Sequence, residues 1–441
     1  MLLSPIVQAK LLPQYLSSLG FSSHIVGKWH LGHHTQAHTP TFRGFESHTG
    51  YWLGKEDYYD HSDDNGKPVH FSDFFYTLTK LFSFIYSNFK DGWGYDFRRN
   101  MSVAWGDYGD YATDIFTREA KNIIKKHNDK KPLFLYLAHL AVHSANTYSP
   151  LQAPQDAVDK HKYIKDDNRR TFGGMLYKLD ESVGKVVAAL QARNMLQDSI
   201  IVFTTDNGGP AAGFNQNAAS NWPLRGVKDT LWEGGVRGAG LIWSPRLGHQ
   251  GRVYKGLMAV HDWLPTLHSA AGGQPGDLDT MDGMDMWPSL LANKPSPRNI
   301  VLHNIDNQRL ISAIRVGDFK LLRGSNYNGA WNSWYGPSGR DSESPAYSIK
   351  NVRSSPATSA LANIGVKLPT DEIILKLRDE VSLKCNASTK TQTCDPTWQV
   401  CLFNITSDPC EQNNLLFKFP SVVKVIFTTE MLVLVVYVEI F

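Results

Sequence analysis

An open α/β sheet covered by helices, followed by a smaller α+β domain, is the fold class that this sequence predicts. Apolar strands alternate with helix-period segments: a helix over Leu11 to Leu19 closed by Gly20, then a strand His24 to Val26. Further on, KPLFLYLAHLAVH reads as a buried strand ending at His143, and DSIIVFTTDNGG as the next one. Continuous apolar strands alternating with helices point to a parallel sheet with both faces covered. Beyond about residue 300 the strands shorten, as in AIRVGDFKLLRG and CLFNITSDPCE, with a Ser- and Asn-rich stretch between them. That change marks a small antiparallel domain. We place an α/β domain at 1–306 and an α+β subdomain at 307–441, with an atypical tail at 420–441.

Each remaining element has its own reason. Helices are expected over Tyr111 to Lys126, with Ile115, Ala120, Ile123 and Ile124 on the apolar side, and over Asn168 to Arg193. Between about 50 and 110, alternating aromatic and polar residues read as a long insertion over the scaffold. The tail from Val422 has no uncharged apolar run longer than the eight residues Met431 to Val438, too short to span a bilayer. A β-rich, sticky tail and no transmembrane anchor are expected.

The 441 residues, 42% hydrophobic and 20% charged, suffice for a sizeable core. A net charge of +3 is too balanced to argue for nucleic acid, though it suits an anionic substrate. The four cysteines, Cys385, Cys394, Cys401 and Cys410, crowd one window at spacings of 9, 7 and 9. Disulfides are the first reading and zinc the rival, with no C-x-x-C or nearby histidine to support the metal. Local pairing, Cys385 with Cys394 and Cys401 with Cys410, is expected. Sequons at Asn100, Asn386 and Asn404 favour a secretory compartment. MLLSPIVQAKLLPQYLSSLG nevertheless lacks a basic n-region and a small-residue cleavage site, so it is read as a helix and not as a signal peptide.

Three stretches carry chemistry. In VGKWHLG, strand alternation puts Lys28 and His30 on one face and Trp29 on the other, with Gly27 and Gly32 leaving room for close backbone approach. The bland alternative is a surface lysine and a hydrogen-bonded histidine. In TTDNGG, Asp206 and Asn207 offer two hard oxygens suited to Ca²⁺ or Mg²⁺, or else form a plain turn. In NWPLRGVKDTLWEGGVRG, Arg225 and Lys228 lie among tryptophans, either solvated or gripping a sulfate or phosphate. His143, Lys28 and Asp206 all fall at carboxyl ends of strands, where open sheets bind ligands.

Together these pieces resemble the sulfatase family, most closely its arylsulfatase B-like branch (N-acetylgalactosamine-4-sulfatase and its relatives). VGKWHLG, KPLFLYLAHLAVH, TTDNGG, NWPLRGVKDTLWEGGVRG, HDWLPTLHSAAG, LHNID and LFNITSDPCEQNNL follow in the family's order, from about Lys10 to Phe419. The resemblance implies an alkaline-phosphatase-like sheet sandwiched by helices, with a smaller C-terminal α+β domain. It implies hydrolysis of sulfate esters, aryl or glycosaminoglycan-like, in a lysosomal or secreted protein. It also implies Ca²⁺ held by Asp206 and Asn207 together with two upstream aspartates, and a formylglycine nucleophile. Lys28 would steady the nucleophile and the sulfate, and His30 would assist deprotonation. His143 and Lys228 would contact the sulfate and the leaving-group oxygen, His143 being the general-acid candidate. A metal and two lysines would offset charge on the transferring group. SANTYS separates His143 from PLQAP, where the family has a shorter connection.

The family's nucleophile motif, C-x-P-S-R or S-x-P-x-R, does not occur in this sequence, whose first cysteine is Cys385. SDDNGK, at Asp63 and Asp64, mimics the family's Asp-Asp metal motif but is read as a solvated turn. The expectation is a chain truncated at its N-terminus and inactive as given. Its rivals are a catalytically dead protein that binds sulfated glycans and a phosphate-cleaving member of the wider superfamily.

Overall fold

Ile25 and Val26 face opposite sides of an inner strand of the main sheet, and each founds its own core. The computed structural model describes residues 9–64, 94–248, 251–337, 339, 342–385 and 393–438. In chain order the first strands are β1 (Ser22–Lys28), β2 (Ser47–Tyr51), β3 (Ser62–Asp63), β4 (Gly94–Tyr95), β5 (Phe97–Arg99), β6 (Ser102–Val103) and β7 (Leu133–Ala138). The main sheet has the order β6-β5-β2-β1-β7, with β1 parallel to both β2 and β7 and with β5 antiparallel to β2. Val26 packs with Tyr51, Phe97, Ile115, Phe116 and Met175, beneath the helices Ala112–Lys126 and Asp167–Ala192. Ile25 packs on the other face with Trp29, Phe45 and Trp52, with Leu11 and Phe134 against them. Burial of these side chains contributes about 1.5–3 kcal/mol each.

Strands β8 (Ile201–Thr204) and β9 (Gly240–Trp243) pair antiparallel with each other. The α/β alternation is as the sequence predicts, but the main sheet is mixed and β8 is not part of its ladder. Tyr136 on β7, Phe203 on β8 and Leu241 on β9 are 51%, 39% and 56% exposed, so these apolar strands are not covered on both faces. Strands β10 (Ile300–Asp306), β11 (Ile311–Val316), β12 (Phe319–Arg323) and β13 (Cys401–Asn404) form an antiparallel sheet in that order. The boundary drawn at 306/307 therefore falls inside the β10–β11 hairpin, and β10 goes with the C-terminal sheet. A buried ion pair secures the entry to it: Asp262 accepts from Arg298 Nε at 2.7 Å and Nη2 at 2.5 Å.

Several expectations are corrected. The tail is helical over Pro420–Val438, not β-rich. Val422, Val423, Ile426 and Phe427 form a helical stripe against Ile314, Leu321 and Leu402, so packing overrides the β-branched composition. No described helix is long and apolar enough to cross a membrane. The cysteines pair as Cys394–Cys401 and Cys385–Cys410, with Cα–Cα distances of 5.8 and 6.1 Å. Both expected pairings are thus wrong. The extended run of β13 carries Cys401 away from Cys410, whereas the turn before β13 returns Cys394 to it.

Asp63 and Asp64 are buried, not solvated. Lys55 Nζ lies 2.5 Å from Asp64 Oδ1, and Thr147 donates to Asp64 Oδ2 from its amide at 3.0 Å and its hydroxyl at 2.7 Å. The SANTYS segment that lengthens the chain after His143 is therefore the clasp on this corner. Asn100 is exposed, Asn404 is half-buried in β13, and Asn386 lies outside the described residues.

Two outcomes follow. Non-reducing peptide mapping gives the 385–410 and 394–401 linkages, and a 385–394 peptide would contradict this packing. Arg298→Ala leaves a buried carboxylate unpaired and costs about 3–5 kcal/mol in urea denaturation. A loss under 1 kcal/mol would show that the pair is not buried in solution.

Candidate active site

The site is built where β1 ends. Gly27 has φ +104°, and a Cβ there would sit 1.9 Å from the Ala138 carbonyl oxygen; one at Gly50, on β2, would sit 2.1 Å from that of Gly27. Only glycine lets the three strands close up here. Lys28 is the last residue of β1 and is half-buried. Trp29 anchors the turn, its indole donating to the Gly32 and His38 carbonyls at 2.9 and 3.0 Å. Alternation holds from Lys28 to Trp29 and then breaks: His30 takes φ +55° and is exposed beside Gly54.

His143 stands on the turn that follows β7. Its Nδ1 donates to the Ser144 carbonyl at 2.7 Å, since a carbonyl can only accept, so Nε2 is the acceptor of the Lys228 ammonium 3.2 Å away. Tyr58 donates to the His143 carbonyl at 2.9 Å, and Asn217 donates to the Val142 carbonyl at 3.1 Å.

Lys228 arrives on a loop locked to the Asp206–Gly209 turn. Its amide donates to the Gly209 carbonyl at 3.2 Å. Asn221 joins both segments, accepting from the Gly209 amide at 2.8 Å and donating to the Gly209 and Gly226 carbonyls at 2.6 and 3.2 Å. Gly208 donates to the Gly235 carbonyl at 2.9 Å, and a Cβ on Gly208 would lie 1.8 Å from the Gly234 carbonyl oxygen. The glycines of TTDNGG and WEGG are thus the two halves of one crossing.

The charges act on one another. Burial holds the Lys28 ammonium below its usual range, with Lys228 adding to the effect and Asp206 opposing it. Burial, then Lys28 and Lys228, lower His30, again against Asp206. Burial and then Lys228 push His143 down to about 4. Lys28, His30, His143, Lys228 and Asp206 therefore share one electrostatic neighbourhood, with a direct contact between Lys228 and His143. Lys228 and neutral His143 can bind an anion, and His143 can hold a proton once an anion offsets the lysines.

Asn207 spends its Nδ2 on the Gly208 carbonyl at 2.8 Å, leaving its oxygen and the exposed Asp206 carboxylate as hard donors. Ca²⁺ takes six to eight oxygens, and among the described residues no group of three or more His, Cys, Asp or Glu could hold a metal ion. The described residues do not complete a calcium site. Their chemistry is their own: binding, charge and proton placement.

Arg225 does not face the anion site. It is buried between Trp232 and Trp334, with ring centroids at 3.6 and 4.5 Å, and donates to the Asn332 and Cys394 carbonyls at 2.7 and 3.0 Å. Sequence reasoning missed Asn217, Asn221 and Tyr58, which are polar residues in loops with no periodic signal. Asn221, two residues before a proline, was the one most open to discovery.

The depressed histidine gives a pH signature. The neutral form is favoured in the fold, so its stabilising contribution is present above pH 6.5 and is lost as pH falls from there towards about 4. NMR titration of ring-labelled histidines places the His143 midpoint near 4, and Lys228→Met raises it. A wild-type midpoint above 6 would contradict the arrangement.

Known proteins resemble this chain over much of its length. The family described as "Sulfatase" matches residues 7–273. Arylsulfatase J of Mus musculus is 35% identical over 433 residues, which are 94% of this chain and 60% of the relative. N-acetylgalactosamine-6-sulfatase of Homo sapiens is 28% identical over 315 residues, covering 70% of this chain and 53% of the relative. This chain thus spans between about half and three-fifths of the length of these curated relatives. The crystal structure of Ps i-CgsB in complex with k-i-k-neocarrahexaose matches with a TM-score of 0.59 and 26% identity, over 82% of this chain and 75% of that one. Because the family match takes in more than half of the chain, along with Lys28, His30, His143, Asp206, Asn207 and Lys228, the chain belongs to the sulfatase family.

Proposed function

We propose that this chain supplies the sulfate-binding, proton-handling part of an active site for hydrolysing sulfate esters of sulfated sugars, of glycosaminoglycan type. The observation that carries the reading is the 3.2 Å contact between Lys228 and the acceptor nitrogen of His143, within the field of Lys28 and Asp206. Two lysines at one spot call for an anionic ligand, and a sulfate's oxygens can accept from both ammoniums. His143, charged once the sulfate offsets Lys28 and Lys228, is placed to give a proton to the leaving-group oxygen. His30, on the exposed rim within the field of Lys28, Lys228 and Asp206, is the second proton-handling candidate. Asp206 and Asn207 would offer two hard oxygens to Ca²⁺, which the described residues do not by themselves complete into a site.

With neither nucleophile motif in its sequence, the 441-residue chain on its own binds sulfate esters and does not cleave them. Relatives named for arylsulfatase and N-acetylgalactosamine-6-sulfatase activities, and a solved relative holding a carrahexaose, support the sulfated-sugar class. Paired cysteines and the sequons support a lysosomal or secreted location.

The test is equilibrium binding of a sulfated oligosaccharide and its desulfated counterpart, with a chromogenic aryl sulfate assay alongside. The sulfated form binds, more weakly as salt rises, and Lys28→Ala or Lys228→Ala weakens it about tenfold, or about 1.4 kcal/mol. Equal affinity for the desulfated form would overturn sulfate recognition. Turnover by this chain that disappears in Lys28→Ala would overturn its inactivity.

A further inference from the structure

Lys320 of β12 is fully buried, its Nζ 3.0 Å from Glu233 Oε1 and 2.9 Å from Glu411 Oε1. Neither carboxylate belongs to the anion site, and a hydrophobic residue could fill the space at lower desolvation cost. The connections of this cluster show what it holds. Glu411 also accepts from the Glu233 amide through Oε2 at 2.7 Å, so Glu233 is gripped by both its side chain and its backbone. One residue on, the Gly234 amide donates to the Arg225 carbonyl at 2.7 Å, closing the base of the loop that carries Lys228. Arg225 itself is fixed by C-terminal carbonyls, and Gly226 donates to the Ser333 carbonyl at 2.9 Å.

We propose that Lys320, clasped by Glu233 and Glu411, is a positioning residue through which the C-terminal sheet sets the placement of Lys228 against His143. Lys320 touches neither partner. It acts through Glu233, the Gly234–Arg225 bond and the loop's internal turn, in which Thr230 accepts from the Val227 amide at 3.1 Å and donates to the Val227 carbonyl at 2.6 Å. His303 of β10 and Arg315 of β11 also bear electrostatically on this cluster.

The test uses the whole chain and reads the NMR titration midpoint of His143, assigned with His143→Gln, alongside the affinity for inorganic sulfate. Only the second readout rests on the sulfate-site reading. Lys320→Met is expected to raise the His143 midpoint in the same direction as Lys228→Met and to weaken sulfate binding at least fivefold, while Lys320→Arg restores most of both. If Lys320→Met does not fold, the charge-neutral Lys320→Met/Glu233→Gln/Glu411→Gln decides, with the same expected rise. Arg298→Ala, destabilised but outside this network, leaves the midpoint where it was. An unmoved midpoint in a folded Lys320→Met or in the neutral triple variant overturns the proposal. A midpoint that moves in a protein with no affinity for sulfate supports the positioning role and overturns the sulfate-site reading instead.

Discussion

The contact on which the site depends is backbone against backbone: Gly208 crossing Gly234 and Gly235, with no room for a single β-carbon. Side-chain packing tolerates small shifts, but a crossing this close fixes two segments as one body. One segment presents Asp206 and Asn207, and the other presents Lys228. Neither needs to be stiff alone, because the crossing and the Asn221 bridge make each the support of the other. A similar closeness at Gly27 and Gly50 sets Lys28 at the end of β1. The active end of this fold is thus assembled from glycine contacts, with charged residues carried on their flanks.

That assembly brings like charges together. Lys28 and Lys228 each disfavour charge on the neighbouring histidines, and burial works in the same direction. Asp206 alone among the described charges in this neighbourhood opposes them on Lys28, His30 and His143. The site is held in an electrostatically unfavourable state by the fold, and an anion relieves it. Binding energy for such a ligand would draw on the repulsion between Lys28 and Lys228 as well as on new hydrogen bonds.

What was legible in the sequence was local. Glycines beside charged residues at strand ends marked Lys28 and Asp206, and flanking tryptophans marked Lys228, since each signal lies within a few residues of the side chain it points to. The features that escaped depend on partners far away in the chain. Asp63 and Asp64 look like a turn until Asn146 and Thr147 fold over them. Arg225 looks like an anion binder until Trp334 covers it. The tail looks like a strand until the apolar face of β11 to β13 offers it a helical stripe to bury. The cysteine pairing turned on the path of β13, which spacing does not encode.

The open ladders of β7 and β8 bear on how this chain behaves among other molecules. Tyr136 and Phe203 stand exposed on strands that each have one side unpaired within the described sheets. Such edges recruit extended polypeptide, because the backbone groups they offer are satisfied by any neighbour that lies alongside. In concentrated solution these strands therefore compete for whatever extended segment reaches them first. How fast such chains associate is then set by their concentration as much as by the core beneath.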